Sequence, residues 1–336
     1  MENTKPVSVA FFDSKPYDIH FFTQANRDYL YTIDFLEPRL NAKTALLAKD
    51  YDVVCAFVND KLDKKTVDVL YDMGIKLIAL RCAGFNNVDL SATQGRISVV
   101  RVPAYSPHSV AEYSAALLFS LTRKIPLAFN RTRDGNFQLQ GLTGRDLNGR
   151  TCGIIGTGKI GKLMAGIMKG CGMNVLAFDT YPDEQWACTN NITYAPLDDL
   201  FTQSDVISLH CPLTTDTHYI INEKALNIMK NDAVIINTGR GALIDAKALI
   251  EALKNKQIGG AALDVYEEED GYFFEDWSTE VIQDDVLARL LVMPNVIISG
   301  HQAFFTEEAL SAIAKTTLEN IKSFNAGQPL VNEVKK

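Results

Sequence analysis

The sequence predicts an α/β protein made of two doubly wound domains with parallel sheets, one domain inserted into the other. Three observations carry this. Short β-branched runs alternate with helical stretches up to about Val102, and the alternation restarts after Arg150 with strands of which several are apolar throughout. The chain has 336 residues, more than one compact core holds at about 150 residues per domain.

In the first part, Val7 to Phe12, Val53 to Val58, Leu77 to Leu80 and Val99 to Val102 read as strands. Gly84 to Asn87 follows the third as a loop at the carboxyl end of a strand, where open α/β sheets place their ligands. The turn-rich VPAYSPHS from Val102 leads into an apolar-periodic helix from His108 to Arg123, expected to run on past Pro126. Beyond GLTGRDLNGR, strands begin at Thr151, Asn174, Asp205, Ala233 and Gly259. Several lack any polar alternation, which suits a parallel sheet buried on both faces. A last strand, Asn295 to Ser299, precedes GHQAFFTEE and an amphipathic helix from Glu307 to Phe324. That tail is too short to be a domain and is expected to return to the first lobe.

Hydrophobic residues at 47% and charged residues at 22% describe a packed globular chain and set disorder aside. With 33 Lys and Arg against 41 Asp and Glu, the net charge is −8, and no basic stripe is present to neutralise phosphates, so no nucleic-acid partner is expected. No apolar run approaches the ~18 residues a bilayer requires, and the start of the chain lacks a signal-peptide pattern. No membrane association is expected, and the location expected is cytoplasmic. Cys55, Cys82, Cys152, Cys171, Cys188 and Cys211 contain no C-x-x-C pair, so no metal site is expected and the thiols read as reduced.

The most specific motif is GIIGTGKIG, where Gly156, Gly158 and Gly161 form G-x-G-x-x-G between a strand and a helix. Asp179 closes the next strand 18 residues after the third glycine. This is the Rossmann fingerprint. Gly156 permits the tight turn, Gly158 lets the backbone approach a pyrophosphate, and Gly161 brings helix and strand together. The helix N-terminus offers N–H groups to phosphate, and Asp179 offers its carboxylate to the ribose hydroxyls, which favours NAD over NADP. The strand ends at His210-Cys211-Pro212, at Asn237 to Arg240 and at Asp264 complete the cofactor crevice, with Cys211 equally readable as a buried thiol.

Hydride transfer to a carbonyl requires a proton donor, and histidine suits neutral pH. Of five histidines, His20, His108 and His218 lie in helical or turn contexts without a partner motif. His301 directly follows Gly300 after an apolar strand, at the carboxyl edge where the chain returns to the first lobe. Glu269 in YEEED is the carboxylate that would stabilise its imidazolium, while Glu267, Glu268 and Asp270 read as a solvated acidic loop. Arg240, between Gly239 and Gly241, could present a planar guanidinium to a 2-oxo acid.

The fingerprint, HCPLT at His210, NTGRGALID at Asn237, LDVYEEE at Leu263 and GHQAF at Gly300 resemble, in order and spacing, the D-isomer-specific 2-hydroxyacid dehydrogenases. RCAGFNNVDL, VRVPAYSP, RTRDGNF, FFED and GHQAFFTEEAL are similar to its bacterial fermentative, lactate-forming branch. The resemblance implies two Rossmann-like or flavodoxin-like domains: a discontinuous substrate domain of 1–103 and 300–336, and an NAD-binding domain of 104–299. It implies NADH-dependent, reversible reduction of pyruvate to D-lactate by a homodimer or homotetramer. Arg240 would bind and polarise the substrate, Glu269 would tune the histidine, and His301 would be the acid and base. Ala83 and Gly84 would receive the substrate carboxylate, with Phe57, Tyr105 and Phe304 lining a pocket of methyl size. NAD would meet Gly156, Gly158, Lys159, Ile160, Gly161, Asp179, Cys211, Pro212, Thr217, Thr238, Gly239, Arg240 and Asp264. Two other readings stay open: a relative acting on glyoxylate, hydroxypyruvate or longer 2-oxo acids, and an NAD-sensing interaction protein on the same scaffold.

Overall fold

A computed structural model describes residues 6–336. In chain order the regular elements begin with β1 (Ser8–Phe11), α1 (Pro16–Ala25), β2 (Thr32–Phe35), β3 (Val53–Ala56), α2 (Lys64–Asp72), β4 (Leu77–Leu80), α3 (Leu90–Thr93) and β5 (Ser98–Val100). Next come α4 (Pro107–Thr122), α5 (Ile125–Arg133), β6 (Thr151–Ile155), α6 (Lys159–Gly170), β7 (Asn174–Phe178), α7 (Glu184–Asn190), β8 (Thr193–Tyr194) and α8 (Leu197–Gln203). The remainder is β9 (Val206–Leu209), α9 (Glu223–Ile228), β10 (Val234–Asn237), α10 (Ala246–Lys254), β11 (Gly260–Leu263), α11 (Asp285–Leu291), β12 (Val296–Ile298) and α12 (Glu307–Asn325).

The chain forms two compact units, Met1–Ser106 with Phe305–Lys336, and Pro107–Phe304. The first holds a parallel sheet in the order β2-β1-β3-β4-β5. All residues of β1, β3 and β4 are buried, as their unbroken apolar runs require in a sheet covered on both faces. Strand order reverses between β1 and β3, so the crevice for a ligand lies beyond the carboxyl ends of these strands. α12 belongs to this unit. Thr306 caps it by accepting from the Ala309 amide, and it buries Leu310, Ile313, Ala314, Thr317, Leu318 and Ile321 at helical spacing.

The second unit holds seven parallel strands in the order β12-β11-β10-β9-β6-β7-β8, with the switch point between β6 and β9. Successive residues serve opposite faces. Ile154 and Ile236 pack with Met164, Met168 and Leu118, whereas Ile155 and Ile235 pack with Leu209, Leu243 and Leu249.

Four features depart from the sequence expectations. β2 and β8 go unread because both are edge strands, β2 half-exposed and β8 only two residues long. The helix from His108 does not continue past Pro126. It stops at Thr122, Lys124 turns left-handed at φ 51°, and α5 starts afresh with Pro126 in its first turn, where a missing N–H costs nothing. The segment 300–304 packs with the second unit, because the His301 amide donates to the Asp264 carbonyl and the Ala303 amide to the Asp264 carboxylate. The first division falls after Ser106 rather than residue 103.

Candidate active site

At the switch point of the second unit, β6 runs into Gly156, whose φ of 94° suits glycine. A Cβ at Gly156 would strike the backbone of His210 and Cys211, and one at Gly161 would strike the Gly156 carbonyl. A Cβ at Gly158 meets nothing within 4 Å, so the backbone at the start of α6 faces open space. Lys159 and Ile160 form the first turn of α6. Asp179, at the end of β7, is drawn to this turn: Oδ2 accepts from the Thr157 amide at 2.6 Å and the Thr157 hydroxyl at 3.0 Å, and Oδ1 from the Tyr181 amide at 2.9 Å. Partial burial alone would raise its pKa, but these donors outweigh burial and hold the carboxyl below its ordinary value. An ionised Asp179 beside an open helix N-terminus fits a dinucleotide with a free ribose diol.

Beyond β9, burial pushes the Cys211 thiol up to about 11 and His210 down to about 4, so both are neutral at physiological pH. Thr217 closes the following loop, its hydroxyl donating to the Pro212 carbonyl at 2.6 Å. Past β10, the Asn237 side chain folds the turn, accepting from the Gly239 amide and donating to the Arg240 carbonyl. Thr238 is buried against Ser114, their hydroxyls 2.8 Å apart, while Arg240 is exposed.

β10, β11 and β12 are neighbours, so the segments carrying Arg240, Glu269 and His301 leave adjacent strand ends. His301 Nδ1 lies 2.7 Å from Glu269 Oε1, and the acceptor-only carboxylate makes Nδ1 the donor. Glu269 Oε2 in turn accepts from the Tyr266 amide at 3.0 Å. His301 has a left-handed backbone, φ 53°, a strained conformation for a non-glycine residue held by the bonds around it.

Those bonds come from Asp264. Expected on the cofactor, it is fully buried, and its carboxylate accepts from the Ser299 hydroxyl at 2.6 Å, the Gln302 amide at 2.9 Å and the Ala303 amide at 2.8 Å. Burial holds its pKa above the ordinary carboxylate value, opposed by the same donors. Asp264 therefore clamps the loop bearing His301. Nor is Glu267 merely solvated: the Tyr219 hydroxyl donates to its carboxylate at 2.7 Å, and His218 stands 3.9 Å from it. Asp264 and Tyr219 act through where their side chains point, which spacing along the chain does not encode.

In the first unit, Phe57, the Ala83-Gly84 loop and Tyr105 follow the carboxyl ends of β3, β4 and β5. Beneath them lies an ionic cluster that sequence reading missed. Arg81, 2% exposed, is 3.3 Å from Asp18, donates to the Asp13 carbonyl at 2.7 Å, and stacks on the rings of Phe11 and Phe57. Its only sequence signal is an arginine ending the apolar run LIALR. Phe304, buried, lies in the second unit.

Comparison with known proteins agrees with this geometry. The family profile described as D-isomer specific 2-hydroxyacid dehydrogenase, NAD binding domain, matches residues 115–303. The D-lactate dehydrogenase of Escherichia coli is 49% identical over 329 residues, covering 98% of this chain and 100% of that protein. Its apo structure superposes with a TM-score of 0.91 over 98% of this chain and all of that one, at 46% identity in the structural alignment. A Chlamydomonas reinhardtii structure described as a pyruvate reductase superposes at 0.94, with 41% identity, covering 97% of this chain and 98% of that one. A glycine-rich turn with an ionised Asp179 beside it, a carboxylate-bonded histidine and likeness over nearly the whole chain converge on one assignment: the chain belongs to the D-isomer-specific 2-hydroxyacid dehydrogenases, NAD-dependent oxidoreductases.

Proposed function

We propose that this enzyme is a D-lactate dehydrogenase, reducing pyruvate reversibly to D-lactate. The observation that carries the reading is the His301–Glu269 bond, on a strand end next to that bearing Glu269 and two from that bearing Arg240. The cradle at Gly158, with Asp179 beside it, fits NAD. Lys159, Ile160 and Gly161 would meet its phosphates through their backbone, and Cys211, Pro212, Thr217, Thr238 and Gly239 would line the rest of the crevice. When bound as NADH, the cofactor supplies the hydride that adds to C2 of the keto acid.

The chain's own residues do the rest. The exposed Arg240 guanidinium orients the keto acid and polarises its carbonyl. As C2 gains the hydride, the carbonyl electron pair passes to oxygen, and protonated His301 gives that oxygen its Nε2 proton. Glu269, accepting from Nδ1, stabilises the imidazolium and orients the ring. The amides of Ala83 and Gly84 take the substrate carboxylate, and Phe57 and Tyr105 limit its side chain. On this reading the first unit serves the substrate and the second the cofactor.

The active species is a homodimer or homotetramer. Phe119, Ile125, Leu127, Phe129, Phe137 and Leu139, exposed along α4, α5 and the segment after it, supply apolar surface for a second copy. Light scattering on the eluted peak measures that state. The cytoplasm is the proposed location, on the strength of NADH-dependent chemistry and free cysteines, and among the described residues no helix is long and apolar enough to cross a membrane.

A panel of 2-oxo acids assayed by NADH oxidation, with chiral analysis of the product, tests the function. Pyruvate is expected to give the highest kcat/KM and the D product. Preference for glyoxylate, hydroxypyruvate or a longer acid reassigns the substrate, and NADH binding without turnover on any acid points to an NAD sensor.

A further inference from the structure

The loop after β4 has an uneven hydrogen-bond inventory. Four successive carbonyls are engaged: Cys82 accepts from the Val102 amide, Ala83 from Arg101, Gly84 from the Cys82 thiol, and Phe85 from the Val88 amide. The amides of Ala83 and Gly84 donate to no acceptor among the described residues. Such a loop is built to receive an anion.

One of those carbonyl partners is a cation. Arg101 Nη1 donates to the Ala83 oxygen at 2.7 Å, and its guanidinium carbon lies 5.2 Å from the centroid of the Phe85 ring. The arginine is fixed at its backbone as well: its amide donates to the Asn332 carbonyl at 3.1 Å, and its carbonyl accepts from the Asn320 side chain at 2.9 Å. Asn332 and Asn320 are themselves joined by a side-chain bond of 2.9 Å. The carboxyl-terminal segment therefore holds Arg101 against the loop.

The Ala83 carbonyl and the Gly84 amide belong to one peptide group. A positive charge on the oxygen draws electron density through the conjugated C–N bond and makes the N–H a stronger donor. From this we infer that Arg101 is a positioning residue for substrate selection: through the Ala83–Gly84 peptide it strengthens the Gly84 amide as a receptor for the carboxylate of a 2-oxo acid. The inference rests on the role proposed above for Ala83 and Gly84. It assigns to Arg101 no contact with the reacting carbon, so its effect falls on binding of the carboxylate in ground and transition states alike.

The test compares Arg101→Gln, which keeps a neutral donor, with Arg101→Lys, which restores the charge. With the full-length enzyme and NADH, Arg101→Gln is expected to raise KM for the preferred 2-oxo acid about tenfold, with kcat within about threefold. The inhibition constant of oxamate, an unreduced isostere with the same carboxylate, is expected to rise in parallel, while the NADH dissociation constant stays put. Arg101→Lys is expected to recover most of the loss. A Gln variant with unchanged KM and oxamate inhibition, or a Lys variant as impaired as Gln, overturns the inference alone. An unaltered enzyme that reduces no 2-oxo acid overturns the functional reading, and this inference with it.

Discussion

His301 and Glu269 are joined by a 2.7 Å bond from Nδ1 to Oε1, across 32 residues of sequence. That bond fixes the ring's orientation and leaves Nε2 as the nitrogen without a partner among the described residues. In the proposed reaction Glu269 would act through the histidine.

Glu269→Gln keeps a hydrogen-bonding partner of the same length and removes its charge. The variant is expected to lose about tenfold or more in the rate of pyruvate reduction, with NADH affinity kept. Pre-steady-state hydride transfer measures this, and a rate within about twofold of the parent's would remove the role of the charge.

Asp264 holds the strained His301 loop through three accepted bonds. Asn in its place turns one acceptor into a donor facing an amide, which costs about 1–3 kcal/mol in a buried site. Asp264→Asn is expected to lose that much in urea unfolding and to lose kcat by more than about tenfold, with NADH affinity kept. Weakened NADH binding with intact kcat would instead place Asp264 on the cofactor.

These two residues divide what was legible in the sequence from what was not. His301 and Glu269 stand out because each belongs to a short motif whose chemistry explains its residue types, and the Gly-rich turn announces itself by strand and helix on either side. Likewise VVCA, LIAL and the VII that opens Val234–Asn237 are readable as strands because burial on both faces leaves no polar residue in them. Asp264 is legible as a strand-end residue beside the cofactor crevice, but its hold on the His301 loop is not. Its direction is set by β11 pairing with β12, which brings Ser299 and Gln302 to it, and no local periodicity records that pairing. The Tyr219–Glu267 bond, 48 residues apart, and the Arg81 cluster escape for the same reason. The edge strands β2 and β8 escape because short, half-exposed strands lack the burial that writes a pattern.

His210 links the cofactor side of the fold to pH. Burial lowers it from 6.5 to about 4, and its Nε2 is 2.9 Å from the Ser208 hydroxyl. Below about pH 6.5 the unfolded chain takes up a proton that the folded one refuses until about pH 4, so this contribution to stability is complete above that window and drains away on acidification through it. Between about pH 7.5 and about pH 5 the unaltered protein is expected to lose about 2 kcal/mol more than His210→Gln. Parallel stability curves for the two proteins, measured by denaturant unfolding, would contradict the burial of a neutral His210.

The glycines of the fingerprint separate fold from cofactor. A methyl at Gly161 drives into the Gly156 carbonyl, so Gly161→Ala must push α6 away from β6 and is expected to cost about 1–3 kcal/mol before any cofactor is added. Gly158 has an ordinary extended backbone, φ −67°, and a methyl there enters open space. Gly158→Ala is therefore expected to unfold within about 1 kcal/mol of the parent, the difference between glycine and alanine as a helix cap. Its NADH dissociation constant, in contrast, is expected to rise at least about tenfold, because the methyl occupies the space the pyrophosphate needs. Fluorescence titration with NADH alongside thermal melts reads both quantities on the same samples. A Gly158→Ala protein that binds NADH as the parent does would mean that the open space at the start of α6 is not where the dinucleotide sits.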